Sequence, residues 1–354
     1  PATPSGQPPK VDKVHRRVAN WFLAHEEFGW RWSARVAIYL PLAALVFALA
    51  VLAHKAWPAI RVNGWYFLYG KNWTYGQSYG ATVYTHGVAH AAGSQFGAWP
   101  IIAGTIQSSL IAVVVALPLS IGAAFALTER MPGWISRPLG FAIEILAGIP
   151  SVVIGLWGLL TFGPWLAKHI YPILSGIANH LPDVQPFSYW RSPVGTGEGL
   201  LTAGLVLGMM IIPIIASTTR DLFAGVPPLP KEGGEALGMT NWEVANRITL
   251  PWVRSGIIGA TVLGLGRALG ETIAVALVGG ASLHLAPNIY APFGTIATTI
   301  LTQLDGALTD GTGFAIATLA ELALVLAVIS VAVNFLAKVV VARTSRIGAP
   351  VGGA

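Results

Sequence analysis

Gly264-Leu-Gly-Arg-Ala-Leu-Gly-Glu-Thr-Ile-Ala-Val275 is an apolar run that carries two full charges, Arg267 and Glu271. Just before it lies a polar stretch, Lys231-Glu-Gly-Gly-Glu-Ala-Leu-Gly238, then Asn241-Trp-Glu-Val-Ala-Asn-Arg-Ile-Thr-Leu-Pro251. Almost everything around these two clusters is greasy. Of the 354 residues, 54% are hydrophobic and only 10% charged, with a mean hydropathy of +0.64. Soluble domains carry about 25% charged residues, so the deficit places the chain in lipid. There is no cysteine, which excludes a disulfide framework and a thiolate metal site.

A spanning helix needs roughly 20 apolar residues. Six stretches qualify: Val36 to Ala53, Gly104 to Leu127, Phe141 to Phe162, Leu200 to Thr219, Ser255 to Val278 and Phe314 to Val341. The sequence therefore predicts an all-α polytopic membrane protein with about six transmembrane helices. The first stretch stands too far along, behind too basic a lead, to be a removed signal peptide, and reads as an anchor. Lysine and arginine accumulate on the cytoplasmic side of membranes. Here fifteen fall on the side of the two termini and the 220–254 loop, and five on the other, with Arg267 inside a span. Both termini are thus expected in the cytoplasm, and the net charge of +6 is accounted for without nucleic acid.

The expected organisation is a cytoplasmic N-terminal segment (1–35), a first span with an extracytoplasmic loop (36–103), a transmembrane core (104–346) holding the cytoplasmic loop (220–254), and a short tail (347–354). Residues 1–9 are proline-rich and expected to be disordered. Val14, Val18, Trp21, Phe22, Phe28 and Trp30 among basic residues suggest an amphipathic helix on the cytoplasmic face, with a solvated lead-in as the alternative. Trp57, Trp65, Tyr66, Phe67, Tyr69, Trp73, Tyr75, Tyr79 and Tyr84 suit a folded interfacial cap or a docking surface. His86 and His90 have a metal-ligand spacing if helical, but no third ligand is near, so an ordinary structural role is expected. Thr105 and Ser108 fall near the outer end of the second span. Gly148-Ile-Pro-Ser151 is expected to break the third helix at membrane depth, where freed backbone groups must face a cavity or another helix. Residues 289–304 are apolar enough to dip into the membrane or to add a seventh span.

Between Arg220 and Pro251 the pattern reads helix, turn, helix. Pro227, Pro228 and Pro230 end the incoming span, Gly238 supplies a left-handed turn, and Thr240 or Asn241 caps the next helix. Glu232, Gly238, Ile248, Leu250 and Pro251 stand at the spacing of the EAA loop that the chain resembles, found in ABC importer permeases. The resemblance implies a type I importer permease fold in which this loop, with Gly233, Gly234 and Trp242, seats in an ATP-hydrolysing subunit. Gly233 and Gly234 depart from the pattern by replacing two alanines, and glycine costs about 1 kcal/mol each inside a helix. The chain has no phosphate-binding loop of its own. ATP and Mg²⁺ would belong to partners, with no cofactor bound here, and no cluster of histidine, aspartate and serine suggests catalysis.

Four residues apart, Arg267 and Glu271 would share one helix face and could pair. Charge at mid-membrane costs about 2.5–3.5 kcal/mol per residue on insertion scales, so the pair either locks neighbouring helices or lines a path for an ion. A planar guanidinium suits phosphate or carboxylate oxygens, with Glu271 competing so that the anion is released. Glu321 is a second buried carboxylate open to the same two readings. The segment Gly264 to Thr272 resembles one shared by the membrane subunits of bacterial phosphate importers. Ile273-Ala-Val275 and Glu144 to Gly158 resemble in particular the PstC branch. That resemblance implies a phosphate path at Arg267 and Glu271, to which Thr272, Ser151, Thr105 and Ser108 are added as candidates. It also implies a PstA-like second permease, two PstB-like ATPases and a PstS-like binding protein outside, in a bacterial plasma membrane. The alternatives are the sibling subunit, a permease for another oxyanion, and a secondary transporter working alone.

Overall fold

A computed structural model describes residues 13–76, 81–182, 184, 186–191 and 195–345, without the side chains of 13–31, 33, 34, 344 and 345. The expectations for residues 1–9, for Tyr79, for the tail and for the side chains of the N-terminal amphipathic pattern lie outside these. The helices are α1 (Lys13–Asn63), α2 (Tyr66–Tyr69), α3 (Trp99–Phe125), α4 (Gly133–Ala147), α5 (Ser151–Trp157), α6 (Gly163–His169) and α7 (Tyr171–Asn179). They continue with α8 (Leu200–Ala224), α9 (Pro228–Ala236), α10 (Asn241–Val244), α11 (Leu250–Gly270), α12 (Ile273–Val278), α13 (Ile296–Leu308) and α14 (Phe314–Ser345). The chain divides after His54 into an N-terminal unit and a compact unit from Lys55 onward.

Six helical stretches are long and apolar enough to cross a membrane: Arg35–Asn63, Trp99–Arg130, Ser151–Asn179, Leu200–Ala224, Asn241–Gly270 and Phe314–Arg343. Helix α13, at 13 residues, is about 20 Å long and too short to be a seventh. Its N-terminus is buried, with the Ile296 N–H donated to the Thr105 hydroxyl. The third span differs from its expected limits. Helix continues past Phe162 to Asn179, and the start at Ser151 is separated from α4 by Gly148–Pro150. The cause is Pro150, which lacks the N–H that a continuous helix would need.

Helix α8 is the hub, and glycines set how closely its neighbours approach. A Cβ added at Gly204 would fall 2.5 Å from Ile111 of α3, and one at Gly256 of α11 2.6 Å from Leu222. Three turns widen to i→i+5 bonding, at Ala126–Arg130, Gly158–Phe162 and Ala245–Thr249. Each ends two residues before a proline: Pro132, Pro164 and Pro251. At Pro164 and Pro251 the helix runs on through the proline, which donates no bond and crowds the carbonyl four residues back, and the wider turn relieves both; at Met131 the helix ends instead.

Among the described residues, four short strands, which the all-α expectation left out, build a cap ahead of α3. β1 (Trp73–Thr74) pairs with β4 (Gln95–Phe96), and β2 (Thr82–Thr85) with β3 (Val88–Ala91), all antiparallel. The β2–β3 turn is His86-Gly87, both with positive φ, the signature of a two-residue hairpin loop. His86 and His90 are therefore not on a helix. His90 bonds to Thr85 and Ser94 at 2.8 and 3.0 Å and lies against Phe314. No group of three metal-binding side chains occurs among the described residues. Phe96 is the centre of the cap, edge-on to Trp73 and Tyr75 and packed on Phe314 at the start of α14.

Asp310 caps that same start. Its carboxylate accepts from the Ala315 and Thr312 N–H groups at 2.9 and 3.0 Å and from the Thr312 hydroxyl at 2.8 Å. Burial pushes its pKa up, but these bonds outweigh it and hold the carboxyl below its ordinary value. Because the folded pKa is depressed, the stabilisation is complete above the unfolded pKa of about 3.9 and is lost as pH falls through the folded value. Asp310→Ala is expected to cost about 1 kcal/mol in thermal unfolding at pH 7. The deficit should shrink in the same assay as pH falls below about 4.

Candidate functional site

Arg267 sits in the last turn of α11, and the helix stops at Gly270. Glu271 is extended (φ −71°, ψ 123°) and the chain resumes as α12 at Ile273. The expected single helix from Ser255 to Val278 is therefore two, and Arg267 and Glu271 do not share a helical face. No ion pair joins them among the described residues. The local reason is legible in the bonding: Glu271 turns its carboxylate to the Ala274 N–H at 3.4 Å, and the Thr272 hydroxyl donates to the Gly270 carbonyl at 3.2 Å. Both side chains take up backbone groups that the interruption frees. With Gly264, Gly266 and Gly270 in the final turns, α11 resists ending less than a helix of alanine or leucine would.

The break lies about 9 Å beyond the middle of α8, because Gly270 follows Gly264 by six residues. A Cβ on Gly264 would touch Ile211 and Ile215, halfway along the 25-residue α8. The second interruption, Gly148–Pro150, lies alongside. Gly155 of α5 backs onto Ala274 of α12, where an added Cβ would come within 2.7 Å of the Ala274 Cα, and Gly158 backs onto Val278 and Val206. Carried back one turn, this parallel register sets Ser151 level with Gly270 and Glu271. Arg267 is exposed on the surface of the chain, and Ser151, Glu271 and Thr272 are half-exposed.

Thr105 and Ser108 are placed elsewhere. Both are about 1% exposed. Thr105 donates to the Ile101 carbonyl at 2.8 Å while accepting from Ile296, and Ser108 donates to the Gly104 carbonyl at 2.7 Å. Thr105 thus joins α3 to the start of α13, while Ser108 bonds back to carbonyls of its own helix. Glu321 is buried, accepts from Asn63 at 2.9 Å and belongs to the outer ends of α1 and α14.

The loop between α8 and α11 forms as two helices. Thr240 and Glu243 make a reciprocal capping box at the start of α10, and Gly238 has φ +82°. Helix continues from Asn241 through the widened turn into α11 without a gap, so loop and span form one rod up to Gly270. Ile248, Leu250 and Pro251 lie at its joint. Gly234 is buried against Ile248, Val244 and Met239, with an added Cβ 2.6 Å from the Ile248 Cδ1, whereas Gly233 faces open space. The departure at 234 thus has a packing reason that the sequence did not reveal. Glu232 is exposed, and Leu229, Leu237 and Trp242 present apolar surface at 77%, 83% and 60% exposure, as a docking lever would. Sequence separation hid two ties: Lys231 Nζ to Glu129 at 2.5 Å, and Arg220 to Glu144 at 2.7 Å. The first anchors α9 under α3; the second joins α8 to α4.

A family model described as binding-protein-dependent transport system inner membrane component matches residues 116–346. The phosphate transport system permease protein PstC 1 of Mycobacterium tuberculosis is 54% identical over 323 residues, 91% of this chain and 95% of that protein. The PstC protein of Pasteurella multocida is 38% identical over 312 residues, 88% and 89% of the two chains. A solved structure of the MetNI methionine ABC transporter aligns over 70% of this chain and 96% of its own, at 15% identity and a TM-score of 0.47.

Lys231→Met removes the cation under Glu129. Amide exchange across 228–237 is expected to speed up by about fivefold, the opening expected for a partly buried pair of about 1 kcal/mol. Unchanged exchange would show that α9 is held by packing alone.

Proposed function

We propose that this chain, which belongs to the family of binding-protein-dependent transport system inner membrane components, is the permease subunit of an ATP-driven importer of inorganic phosphate. It is a multi-pass membrane protein and a transporter component. The phosphate assignment draws on relatives that carry that name along nearly their whole length. The observation that carries the mechanism is the interruption at Gly270–Thr272, which leaves Arg267 exposed within the span and, among the described residues, without an ion-pair partner.

In this reading the guanidinium is a fork of donors for an oxyanion. Glu271 stands next in sequence to the break and keeps the local charge near neutral, so the anion is held weakly enough to leave. Ser151 and Thr272 add hydroxyls at the same level. A second, PstA-like permease supplies the other wall, and a PstS-like binding protein delivers phosphate from outside. Two PstB-like subunits bind ATP and Mg²⁺; this chain contributes no residue to that chemistry. Their closure acts on α9 and α10 through Leu229, Leu237 and Trp242. The rod from Asn241 to Gly270 carries the displacement to the break, shifting the population between inward- and outward-open states. Both termini lie in the cytoplasm.

The test is phosphate uptake by the complete complex in liposomes. Arg267→Ala is expected to cut uptake by about 100-fold, the loss of a charge-assisted pair in a desolvated path, while the subunits still co-purify. Arg267→Lys should fall between the two, because it keeps charge and loses the fork. Normal uptake by Arg267→Ala would remove Arg267 from the path. Uptake by this chain without its ATPases would replace the reading with that of a carrier working alone.

A further inference from the structure

Both helices of the loop between α8 and α11 bear on one end of α3 and the widened turn that continues it. From α9, Lys231 Nζ reaches Glu129 at 2.5 Å, with the two side chains only 19% and 22% exposed. From α10, Trp242 meets Phe125 edge-on, the ring centroids 5.6 Å apart. A force on either short helix therefore reaches α3 as directly as it reaches α11.

The other end of α3 is held just as closely, against the 279–295 loop. Gly104 leaves no room for a Cβ beside the Gly294 carbonyl. Next to it the Thr105 hydroxyl accepts from the Ile296 N–H at 2.9 Å while donating to the Ile101 carbonyl. The loop is stitched in turn to the start of α8, whose Leu200 and Leu201 N–H groups donate to the Ala291 and Ile289 carbonyls at 3.1 and 2.9 Å. Between its two ends the helix has no gap from Trp99 to Arg130 and runs on through Pro118. Glu129 thus stands about 36 Å from Thr105 along one rod. Close packing of this kind is hard to compress and passes displacement on.

We propose that α3 is a second strut, parallel to the rod from Asn241 to Gly270, and that Glu129 and Thr105 are its positioning residues. Glu129 takes up the motion of α9, and Thr105 delivers it to the 279–295 loop on the opposite face. The proposal rests on the reading of the chain as an ATP-driven permease. The rod ends at the interruption and sets affinity beside Arg267; the strut bypasses the interruption and sets the shape of the loop. Because coupling is reciprocal, a protein bound to that loop acts back on α9.

The experiment uses the complete complex in liposomes, with partner subunits freed of cysteine, and has two readouts. One is phosphate imported per ATP hydrolysed. The other is the spectrum of a nitroxide at Leu285→Cys, a loop position 43% exposed in a chain with no cysteine of its own. In wild type, ATP is expected to change that spectrum. Glu129→Ala, on α3 and off the α9 and α10 surface, and Thr105→Val should each abolish the change. Each should lower the phosphate-to-ATP ratio about tenfold, within the ordinary range of coupling between sites. Thr105→Ser keeps the hydroxyl and should behave as wild type, which a loss of packing alone would not predict. Lesions so far apart ordinarily add, which would give about 100-fold for the double variant. Two breaks in one strut should instead give the tenfold loss of either. Should Thr105→Val fail to assemble, Glu129→Ala and its nitroxide still decide the matter. The strut would be overturned by no ATP-driven change in wild type, by a change that survives Glu129→Ala, or by multiplicative losses. Each of these leaves the permease reading standing, whereas a wild-type complex without ATP-driven uptake would remove that reading and the strut with it.

Discussion

Lipid offers no hydrogen bonds, so each place where this backbone stops being helical within the membrane needs partners from the protein itself. That obligation explains the arrangement around α8. The two interruptions, at Gly148–Pro150 and Gly270–Thr272, fall at one level because Gly155 and Gly158 let α5 settle against α12 and α8. At the second, Glu271 and Thr272 complete the bonding with their own side chains. Elsewhere the chain avoids a full break by widening a turn ahead of a proline, at Gly158–Phe162 and Ala245–Thr249. The broken third traverse still keeps its register on α8: Glu144 meets Arg220 and Gly158 meets Val206, fourteen residues apart along both strands of the contact. Interruption therefore bends the traverse without displacing it.

The same constraint fixes where charge is tolerated. Arg267 costs about 2.5–3.5 kcal/mol on insertion scales, and among the described residues no direct ion pair offsets it. It sits in the last turn of α11, where the unsatisfied carbonyls of a helix C-terminus favour a cation. Several buried or half-buried charges have partners: Lys231 with Glu129, Arg220 with Glu144, Glu321 with Asn63.

How much of this could be read from residues alone follows from which forces are local. Span existence depends on composition over about 20 residues, and all six stretches were visible. Gly238 and Thr240 were readable because turn and cap chemistry need only nearest neighbours. The end of α11 at Gly270 was not, because it depends on whether Glu271 spends its carboxylate on Arg267 or on the Ala274 N–H, and both lie within four residues. The hairpin at His86 was hidden by a spacing equally compatible with a helix. His-Gly between Thr82-Val-Tyr-Thr and Val88-Ala-His-Ala was the signal that could have disclosed it. Thr105 reads as a polar group in a span, and only the distant start of α13 shows that it holds Ile296. Gly234 looked like a weakness in the first coupling helix until Ile248 was seen to occupy the space that a methyl would need.

On the proposed reading, the position of Glu271 ties mechanics to electrostatics. Its backbone ends the rod that begins at Asn241, and its carboxylate holds the first turn of α12, which is packed against α5. A displacement entering through Trp242 cannot move Gly270 without moving that carboxylate relative to the α12 amides. If the 3.4 Å bond to Ala274 lengthens, the carboxylate is released toward Arg267, four residues away, and competes with an anion bound there. If it shortens, Arg267 is left to the anion. The interruption thus supplies a physical link by which work done on the cytoplasmic loop changes affinity within the span, with no need for a separate gate charge. It also gives a reason for the helix to be broken where the charge is: an intact α11 would keep Arg267 and Glu271 one turn apart in every state, and the pair would stay neutral to whatever the partner subunits do.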